Sequence, residues 1–249
     1  MTDKTRPDSL HENRIRNIAT AISQALSETD LELILSHGAG AYGHIKAKQY
    51  RAQEGKHPDF GWQAYYLIRQ DMMHLNLRFV QLCSAANLFP VTVQPSAIIV
   101  AKDGNINSMD TSIIKNLLEF EQIPLLHGDI VIDENRGFTI ASTEDILSFL
   151  SNSLQFSRVI MVSDVPGVLD EDGKITPIIN RDNYDDIMKH LGDAKGADVT
   201  GGMKKKIEHL FSLVRNGNVA EARILSCESD PNGLRKAIKG EVNVGTMII

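Results

Sequence analysis

The segment Gly201-Gly202-Met203-Lys204-Lys205-Lys206 places three cations directly behind a glycine pair, at the predicted first turn of a helix. Cations are unfavourable at that position, because aligned peptide dipoles already give a helix N-terminus about half a positive charge. A bound anion would remove the conflict, and a helix N-terminus fronted by glycines suits phosphate best. The alternative is a solvated basic turn, and this segment alone does not decide between the two.

Outward from this segment, the periodicity of apolar residues alternates between strand and helix patterns. Strands are predicted at 31–35, 91–93, 97–100, 125–126, 130–132, 138–140, 159–162, 222–225 and 246–249. Helices are predicted at 15–26, 72–86, 111–121, 207–214 and 234–239. We expect the strand at 159–162 to be the most deeply buried. The alternation predicts an α/β fold, a three-layer sandwich with a mostly parallel central sheet.

Composition narrows the function. The chain has 249 residues and a net charge of -6, which argues against a general nucleic-acid binder. No apolar run approaches the roughly 18 residues of a membrane span, and the first residues show no signal-peptide pattern. The two cysteines, Cys83 and Cys227, have no metal-binding spacing, so we expect a reduced, cytoplasmic protein without nucleic-acid or membrane partners.

A glycine-rich segment, Ser36-His37-Gly38-Ala39-Gly40-Ala41-Tyr42-Gly43-His44, follows the first predicted strand. It contains a formal GxGxxG pattern. A dinucleotide site would need an acidic residue about 20 positions later on a second strand, and residues 45–66 read as a polar surface loop or irregular helix. What remains is a backbone that a ligand can approach closely, with His44 placed to donate to a phosphate oxygen. The alternative is a surface histidine without a task.

Two further turns follow predicted strands, His127-Gly128-Asp129 and the segment 163–170. Ligands of open parallel sheets lie beyond the carboxyl ends of the strands, so both turns are candidates, and Asp164 could hold a ribose or a base edge. Ordinary tight turns are the alternative. Ser142-Thr143-Glu144-Asp145 has the pattern of a helix-capping box. Lys206, four residues after Gly202, could reach the same anion as the amides of that helix N-terminus.

In this order the motifs resemble the amino acid kinase superfamily, and most closely its isopentenyl phosphate kinases. The family's HGxGSFGH is matched by residues 37–44, with Ala41 for Ser and Tyr42 for Phe. Its DVTGGMxxK is matched fully by residues 198–206, and its late GTxI by residues 245–248. The resemblance covers nearly the whole chain, residues 2–249, and the ordered set is more specific than any single motif.

The resemblance implies a single amino acid kinase-like domain over residues 1–249. Its acceptor-binding half would be about 1–150 and its nucleotide-binding half about 151–249. It implies an enzyme that uses ATP and Mg²⁺ to phosphorylate a small phosphate-bearing acceptor, isopentenyl phosphate, giving isopentenyl diphosphate. It also implies a homodimer.

Residue roles carry over by position. The catalytic pair would be His44 and Lys206. Acceptor-binding residues would be Ala39, Gly43, His44, Gly128 and Thr143. Nucleotide-binding residues would be Lys4, Gly40, Asp164, Gly201, Gly202 and Lys206. Glu144 would be the orienting carboxylate, and no residue is expected to ligate a metal.

The chain departs from the family pattern in three places. It begins Met1-Thr2-Asp3-Lys4, where the family first has a strand and a Lys-x-Gly-Gly-Ser loop, so a catalytically impaired nucleotide-binding relative is one alternative. In the segment 142–145, Thr143 stands where the family has a glycine, and Glu144 stands where it has an aspartate. The segment Asp164-Val165-Pro166-Gly167 resembles that of acetylglutamate kinases, so a kinase for acetylglutamate or a fosfomycin-like phosphonate is another alternative. His44 favours a phosphate or phosphonate acceptor.

Overall fold

The structure, a computed structural model, describes residues 10–193, 202–228, 230, 232–241 and 244–249. The chain divides into two compact units. Unit 1 comprises Met1–Ser23 and Asp30–Leu150, and unit 2 comprises Gln24–Thr29 and Ser151–Ile249. The sequence predicted a boundary at about residue 150, and the two units also divide between Leu150 and Ser151. The ligand that each half binds stays a prediction.

Unit 1 alternates helices with short strands. In chain order its elements are α1 (Glu12–Leu26), β1 (Leu35–His37), α2 (Gly40–Gln49), α3 (Gln63–Ser84), β2 (Pro90–Thr92), α4 (Pro95–Ile98), β3 (Ile99–Lys102), β4 (Asn105–Met109), α5 (Ser112–Glu119), β5 (Ile123–His127), β6 (Asp129–Asp133), β7 (Gly137–Ala141) and α6 (Thr143–Ser151). The last residues of α1 and α6 fall in unit 2.

Two sheets organise unit 1. The first is fully parallel, in the order β1-β5-β2, and its register sets His37 beside His127. The second has the order β4-β3-β6-β7, in which β6 and β7 form an antiparallel hairpin. One core cluster beneath these strands joins Ile68 of α3 to Ile130 and Phe138, all nearly without exposure to solvent. This cluster packs the β6–β7 hairpin, which directly follows the second His-Gly turn, against α3.

Unit 2 contains one mixed sheet and three helices. Its elements are β8 (Phe156–Val162), β9 (Ile178–Ile179), α7 (Tyr184–Asp193), α8 (Gly202–Arg215), β10 (Val219–Leu225), α9 (Gly233–Ile238) and β11 (Thr246–Ile248). The strand order is β8-β10-β11-β9, with β8 and β10 parallel and β10 and β11 antiparallel. Helix α8 packs on β10 through Ile207, Leu210 and Phe211.

A cluster of charged side chains links neighbouring strands of the sheet in unit 2. Glu221 accepts hydrogen bonds from Arg158 and from the buried Arg223, so the three form one ion cluster on neighbouring strands. Arg158 also donates to the carbonyl of Ile238 at 2.9 Å, where α9 ends. Burial would raise the pKa of the Glu221 carboxyl, but the hydrogen bonds from the two arginines lower it overall.

The end of α1 belongs to unit 2, although the earlier part of the same helix belongs to unit 1. Just after α1, the carboxylate of Glu28 pairs with Arg235 at 2.5 Å and with Lys239 at 3.2 Å. Hydrogen bonds from these two side chains lower the pKa of Glu28. The short segment Gln24–Thr29 thus has partners in the last helix of unit 2.

The α/β class and the alternation predicted from the sequence are confirmed, as is the capping box at Ser142. The strands predicted at 130–132 and 138–140 are present and pair as the antiparallel hairpin β6–β7. Four details were wrong. The first strand is Leu35–His37 rather than 31–35, and the strand predicted from residue 97 begins at Ile99, behind the short helix α4. Only Val159 is fully buried in 159–162, because β8 lies at the end of its sheet. The glycine-rich run at 40–43 is the start of helix α2 rather than a loop, and α2 continues to Gln49 through residues predicted as a loop or irregular helix.

No helix among the described residues combines the length and the apolar character that crossing a bilayer requires.

Candidate active site

Two His-Gly turns lie side by side where β1 and β5 end. The amide of Gly128 donates to the carbonyl of His37 at 3.2 Å, and the hydroxyl of Thr143 donates to the same carbonyl at 3.1 Å. A Cβ on Gly128 would lie 3.5 Å from that hydroxyl. The structure therefore brings Gly128 and Thr143 together with the turn at Gly38. We call residues 37–38, 127–128 and Thr143 the acceptor rim.

The two imidazoles of the acceptor rim are buried and stacked, with ring centroids 5.3 Å apart and planes 18° apart. Burial, helped by the neighbouring His127, lowers the pKa of His37 to about 4, so His37 is neutral at pH 7. A neutral imidazole has one N–H, and the carbonyl of Gly38, 3.1 Å from Nδ1, can only accept it. Nε2 of His37 lies 3.2 Å from Oδ1 of Asn76, which is also an acceptor, so the one N–H of the neutral ring bonds to Gly38 or to Asn76 but not to both.

His127 repeats this arrangement on the next strand. Its Nδ1 lies 3.0 Å from the carbonyl of Gly128, which again can only accept, so Nδ1 donates. Each imidazole thus lies within hydrogen-bonding distance of the carbonyl of the glycine that follows it. Nε2 of His127 is buried and has no hydrogen-bond partner in the described part of the chain. Both His-Gly turns were predicted from the sequence as candidate ligand sites, but the contacts between their imidazoles and the glycine carbonyls were not.

Helix α2 presents His44. It begins at Gly40, whose φ of +52° favours glycine, and Ala39 is its N-cap. No side chain caps this N-terminus and no acidic residue lies in the first turn, so the positive end of the helix dipole is uncompensated there. His44 is exposed one turn further on. The predicted residues Ala39, Gly40 and His44 therefore share one end of one helix.

Gly43 has a packing role. A Cβ there would lie 2.6 Å from Cβ of Ala39 and 3.0 Å from Sδ of the buried Met72, so only glycine lets α2 sit this close to α3. An ion pair of 2.7 Å between Lys46 and Asp71 joins the same two helices. The structure thus explains Gly43 by helix packing, and contact with the acceptor stays a prediction.

At the start of α6, the capping box uses Asp145. Its carboxylate accepts from the amide and the hydroxyl of Ser142, at 3.0 Å and 2.6 Å, and its own amide donates to that hydroxyl. Glu144 takes no part in this cap. Its role as the orienting carboxylate stays a prediction.

In unit 2, Asp164 is exposed in a long loop that follows β8. We call residues 163–176 the nucleotide loop. Asp170 stabilises its tip by accepting from the amides of Asp172 and Lys174, and its base is closed by the amide of Thr176 donating to Val168 at 2.7 Å. Thr246 of β11 also bonds to this base, which the sequence analysis did not foresee.

Helix α8 begins at Gly202 and carries Lys206 one turn further on. Lys206 is half-buried, next to the buried Ile207. Three lysines follow the N-terminus of this helix, as the sequence indicated. No acidic residue in the first turn offsets their charge. Two predicted residues, Lys4 and Gly201, lie outside the described residues.

The sequence model of the amino acid kinase family matches residues 2–226. The chain belongs to the amino acid kinase family. It is 34% identical to the isopentenyl phosphate kinase of Methanocaldococcus jannaschii, covering all of this chain and 94% of that one. It is 31% identical to the isopentenyl phosphate kinase of Haloferax volcanii, again over all of this chain and 94% of the relative.

A solved isopentenyl phosphate kinase aligns with this structure at a TM-score of 0.78 and 27% identity, over 97% of this chain and 92% of that one. Acetylglutamate kinases are more distant. That of Campylobacter curvus is 30% identical over 58% of this chain and 48% of its own length. The chain is therefore a small-molecule kinase of the isopentenyl phosphate kinase group, with the amino acid kinase fold.

Proposed function

We propose that this protein transfers the γ-phosphoryl group of ATP to isopentenyl phosphate, giving isopentenyl diphosphate and ADP. The observation that carries the proposal is His44, exposed on the uncapped N-terminal turn of α2. A helix N-terminus with a hydrogen-bond donor beside it suits a phosphate group on the acceptor. The full-length similarity to isopentenyl phosphate kinases supports the same acceptor.

The acceptor half is proposed to be unit 1. Ala39 is the N-cap of α2, while Gly128 and Thr143 lie on the acceptor rim. His44 would donate to an oxygen of the acceptor phosphate. Thr143 is the first residue of α6, and its hydroxyl reaches the turn that follows β1.

The nucleotide half is proposed to be unit 2. Gly202 and Lys206 lie on the first turns of α8, where backbone amides and the lysine charge favour the β- and γ-phosphates. Asp164 on the nucleotide loop would bind the nucleoside part. Gly201 completes the set in unit 2 by its position in the sequence, and Lys4 and Gly40 of unit 1 are proposed nucleotide contacts as well.

Phosphoryl transfer needs positioning and charge neutralisation more than covalent work by the protein. An oxygen of the acceptor phosphate attacks the γ-phosphorus, the bond from that phosphorus to the β–γ bridging oxygen breaks, and ADP leaves with the electron pair. Lys206 would neutralise the charge on the transferring group. His44 would hold the attacking phosphate in line.

Mg²⁺ is proposed to enter with ATP. Among the described residues no group of three or more His, Cys, Asp or Glu side chains is placed to hold a metal ion. Mg²⁺ keeps several waters and is commonly held by substrate phosphates rather than by an all-protein cage, so the proposal requires no protein ligand. Bound with ATP, the ion would supply positive charge that offsets the charge developing on the transferring group.

The deciding experiment is an ADP-release assay with ATP, Mg²⁺ and a panel of acceptors. We expect turnover with isopentenyl phosphate, and at least about tenfold lower kcat/KM with fosfomycin or N-acetylglutamate. The latter is included because residues 164–167 resemble acetylglutamate kinases. Preference for either competitor would reassign the acceptor. ATP binding without turnover on any acceptor would establish the impaired relative instead.

A homodimer through unit 1 is also proposed. Tyr66, Met73 and Leu77 form an exposed apolar stripe along α3, with 67%, 46% and 58% of their surfaces accessible. Asn76 of α3 bonds to Thr92, so the stripe adjoins β2, which is an edge strand of its sheet. Sedimentation should give twice the chain mass, and Leu77→Glu should shift it toward the monomer, whereas Lys48→Glu should not.

A cytoplasmic location is proposed from the cysteines. Neither cysteine forms a disulfide in the described part of the chain, and burial raises the pKa of the Cys83 thiol to about 12, so this thiol has little tendency to oxidise.

A further inference from the structure

We infer that Thr246 is a positioning residue for nucleotide binding, acting through its buried hydroxyl on the nucleotide loop. The inference rests on the proposed function, because it concerns the loop that carries Asp164. Residues 245–248 are similar to a family motif, but that similarity does not say what Thr246 does.

The hydroxyl of Thr246 makes two hydrogen bonds to the base of the nucleotide loop. It donates to the carbonyl of Thr176 at 2.7 Å and accepts from the amide of Val168 at 2.8 Å. Both Thr246 and Val168 are without solvent exposure, so water does not replace either bond. One oxygen therefore connects the outgoing and returning arms of the loop.

The surrounding backbone is shaped to bring this hydroxyl into place. A Cβ on Gly167 would lie 2.8 Å from Oγ1 of Thr246, so only glycine allows the contact. Gly245 has a φ of +65°, and a Cβ there would lie 2.2 Å from the carbonyl of Ile224. Two glycines, one in the loop and one beside the threonine, are thus needed for one side chain to reach the loop.

The loop is otherwise anchored at its ends by the sheet. The amide of Ser163 donates to Leu225 at 2.8 Å, and the amide of Met247 donates to Pro177 at 2.9 Å. The tip is held locally by Asp170. Asp164 lies four residues before Val168, between the anchored strand end and the threonine contact. The path of the backbone at Asp164 is therefore set jointly by β10 and by Thr246.

Replacing the hydroxyl by a methyl group isolates this role. Thr246→Val keeps the size and the β-branching that suit a strand, but leaves the amide of Val168 and the carbonyl of Thr176 buried without that partner. These two groups can form hydrogen bonds again only if the base of the loop moves toward water. That movement would displace Asp164. Thr246→Ser retains the hydroxyl, so it should restore the bonds.

The experiment measures ATP affinity by calorimetry and the separate KM values for ATP and acceptor. We expect Thr246→Val to weaken ATP binding and to raise the KM for ATP by about tenfold, which is the size of one unsatisfied buried polar group. The KM for the acceptor should change by less than about twofold. Thr246→Ser should stay near the wild type. Hydrogen exchange at the Val168 amide should rise in the valine variant alone.

Two controls separate positioning from general loss of stability. Val219→Ala opens a cavity in β10 of the same unit, and Thr139→Val replaces another buried threonine, on β7 of unit 1. Both should leave ATP affinity unchanged even where the melting temperature falls. If Thr246→Val lowers the melting temperature but binds ATP as the wild type does, or if Thr246→Ser behaves like the valine variant, the inference is overturned. A wild type that binds no ATP would overturn the proposed function itself.

Discussion

The acceptor rim and the nucleotide loop solve the same problem in different ways. Both hold a backbone turn in place, and we propose that each turn receives a phosphate-bearing ligand. The rim has two-residue turns directly at strand ends, each with a buried imidazole within hydrogen-bonding distance of its glycine carbonyl. The loop extends for 14 residues beyond its strand, and a side chain distant in sequence, Thr246, closes its base.

This difference predicts different weaknesses. The rim contains His37, whose pKa is lowered by burial, so its integrity should depend on pH. The base of the loop depends on a hydroxyl and on glycines, so it should be sensitive to added side-chain volume. The rim should affect the acceptor, and the loop the nucleotide.

The largest effect should come from volume in unit 2. In Gly245→Ala the new Cβ would fall 2.2 Å from a backbone carbonyl, in a conformation with φ of +65°. Strain and overpacking together should reduce the free energy of unfolding by about 2–5 kcal/mol. Gly43→Ala in unit 1 meets side-chain atoms that can shift, so we expect about 1–2 kcal/mol. Denaturant unfolding measures both, and a larger loss for Gly43→Ala would contradict the comparison.

Second is the removal of the proposed acceptor contact. His44→Ala should lower kcat/KM for the acceptor by about 100-fold or more, the usual loss for one preorganised donor. ATP affinity should be nearly unchanged, because His44 is not among the proposed nucleotide contacts. Gln49→Ala, at the other end of the same helix, is the matched control and should be silent. Equal loss of turnover and ATP binding would show that His44 has another role.

Third, the rim should make stability depend on pH. The pKa of His37 falls from its ordinary 6.5 to about 4 on folding, so the unfolded chain takes up a proton first as the pH drops. Stability is therefore full above pH 6.5 and decreases by about 1.4 kcal/mol per pH unit down to about pH 4.

His37→Asn, which keeps an amide donor but does not titrate, should flatten this part of the profile. Urea unfolding between pH 7.5 and 4.5 makes the comparison. Parallel profiles for the two proteins would mean that His37 does not carry the effect.

The smallest effect should come from the second imidazole. His127→Leu removes the donor to the carbonyl of Gly128, and should raise the KM for the acceptor by about tenfold without changing the KM for ATP. His127→Asn places an amide N–H near the position of Nδ1 and should recover most of the affinity. Identical kinetics in both variants would indicate that filling space, rather than donating a hydrogen bond, is the function of His127.

The sequence was sufficient for the fold class because apolar periodicity survives in each element. It failed where tertiary contacts outweigh local preference. Glycines at 40 and 43 read as a loop, yet they lie in α2, because packing against Met72 rewards the absence of a side chain. The strand at 31–35 looked apolar enough, but pairing with β5 occurs at Leu35–His37.

Part of the candidate site could also be predicted from the sequence. The repeated His-Gly dipeptide after a strand was visible, but the pairing of its imidazoles depends on the register of β1 and β5. Thr246 could not have been found from local sequence, because its partners lie 70 and 78 residues away. The role of Asp145, three residues after Ser142, was readable because a capping box is local.

The membership of Gln24–Thr29 in unit 2 has a practical consequence for dissecting the enzyme. A polypeptide of residues 151–249 expressed alone would leave out Glu28, the carboxylate that binds Arg235 and Lys239. Unit 2 is a discontinuous domain, so a single cut in the gene cannot separate it intact. A free nucleotide half would have to bring its own copy of this helix end, for example by grafting residues 24–29 through a designed connection.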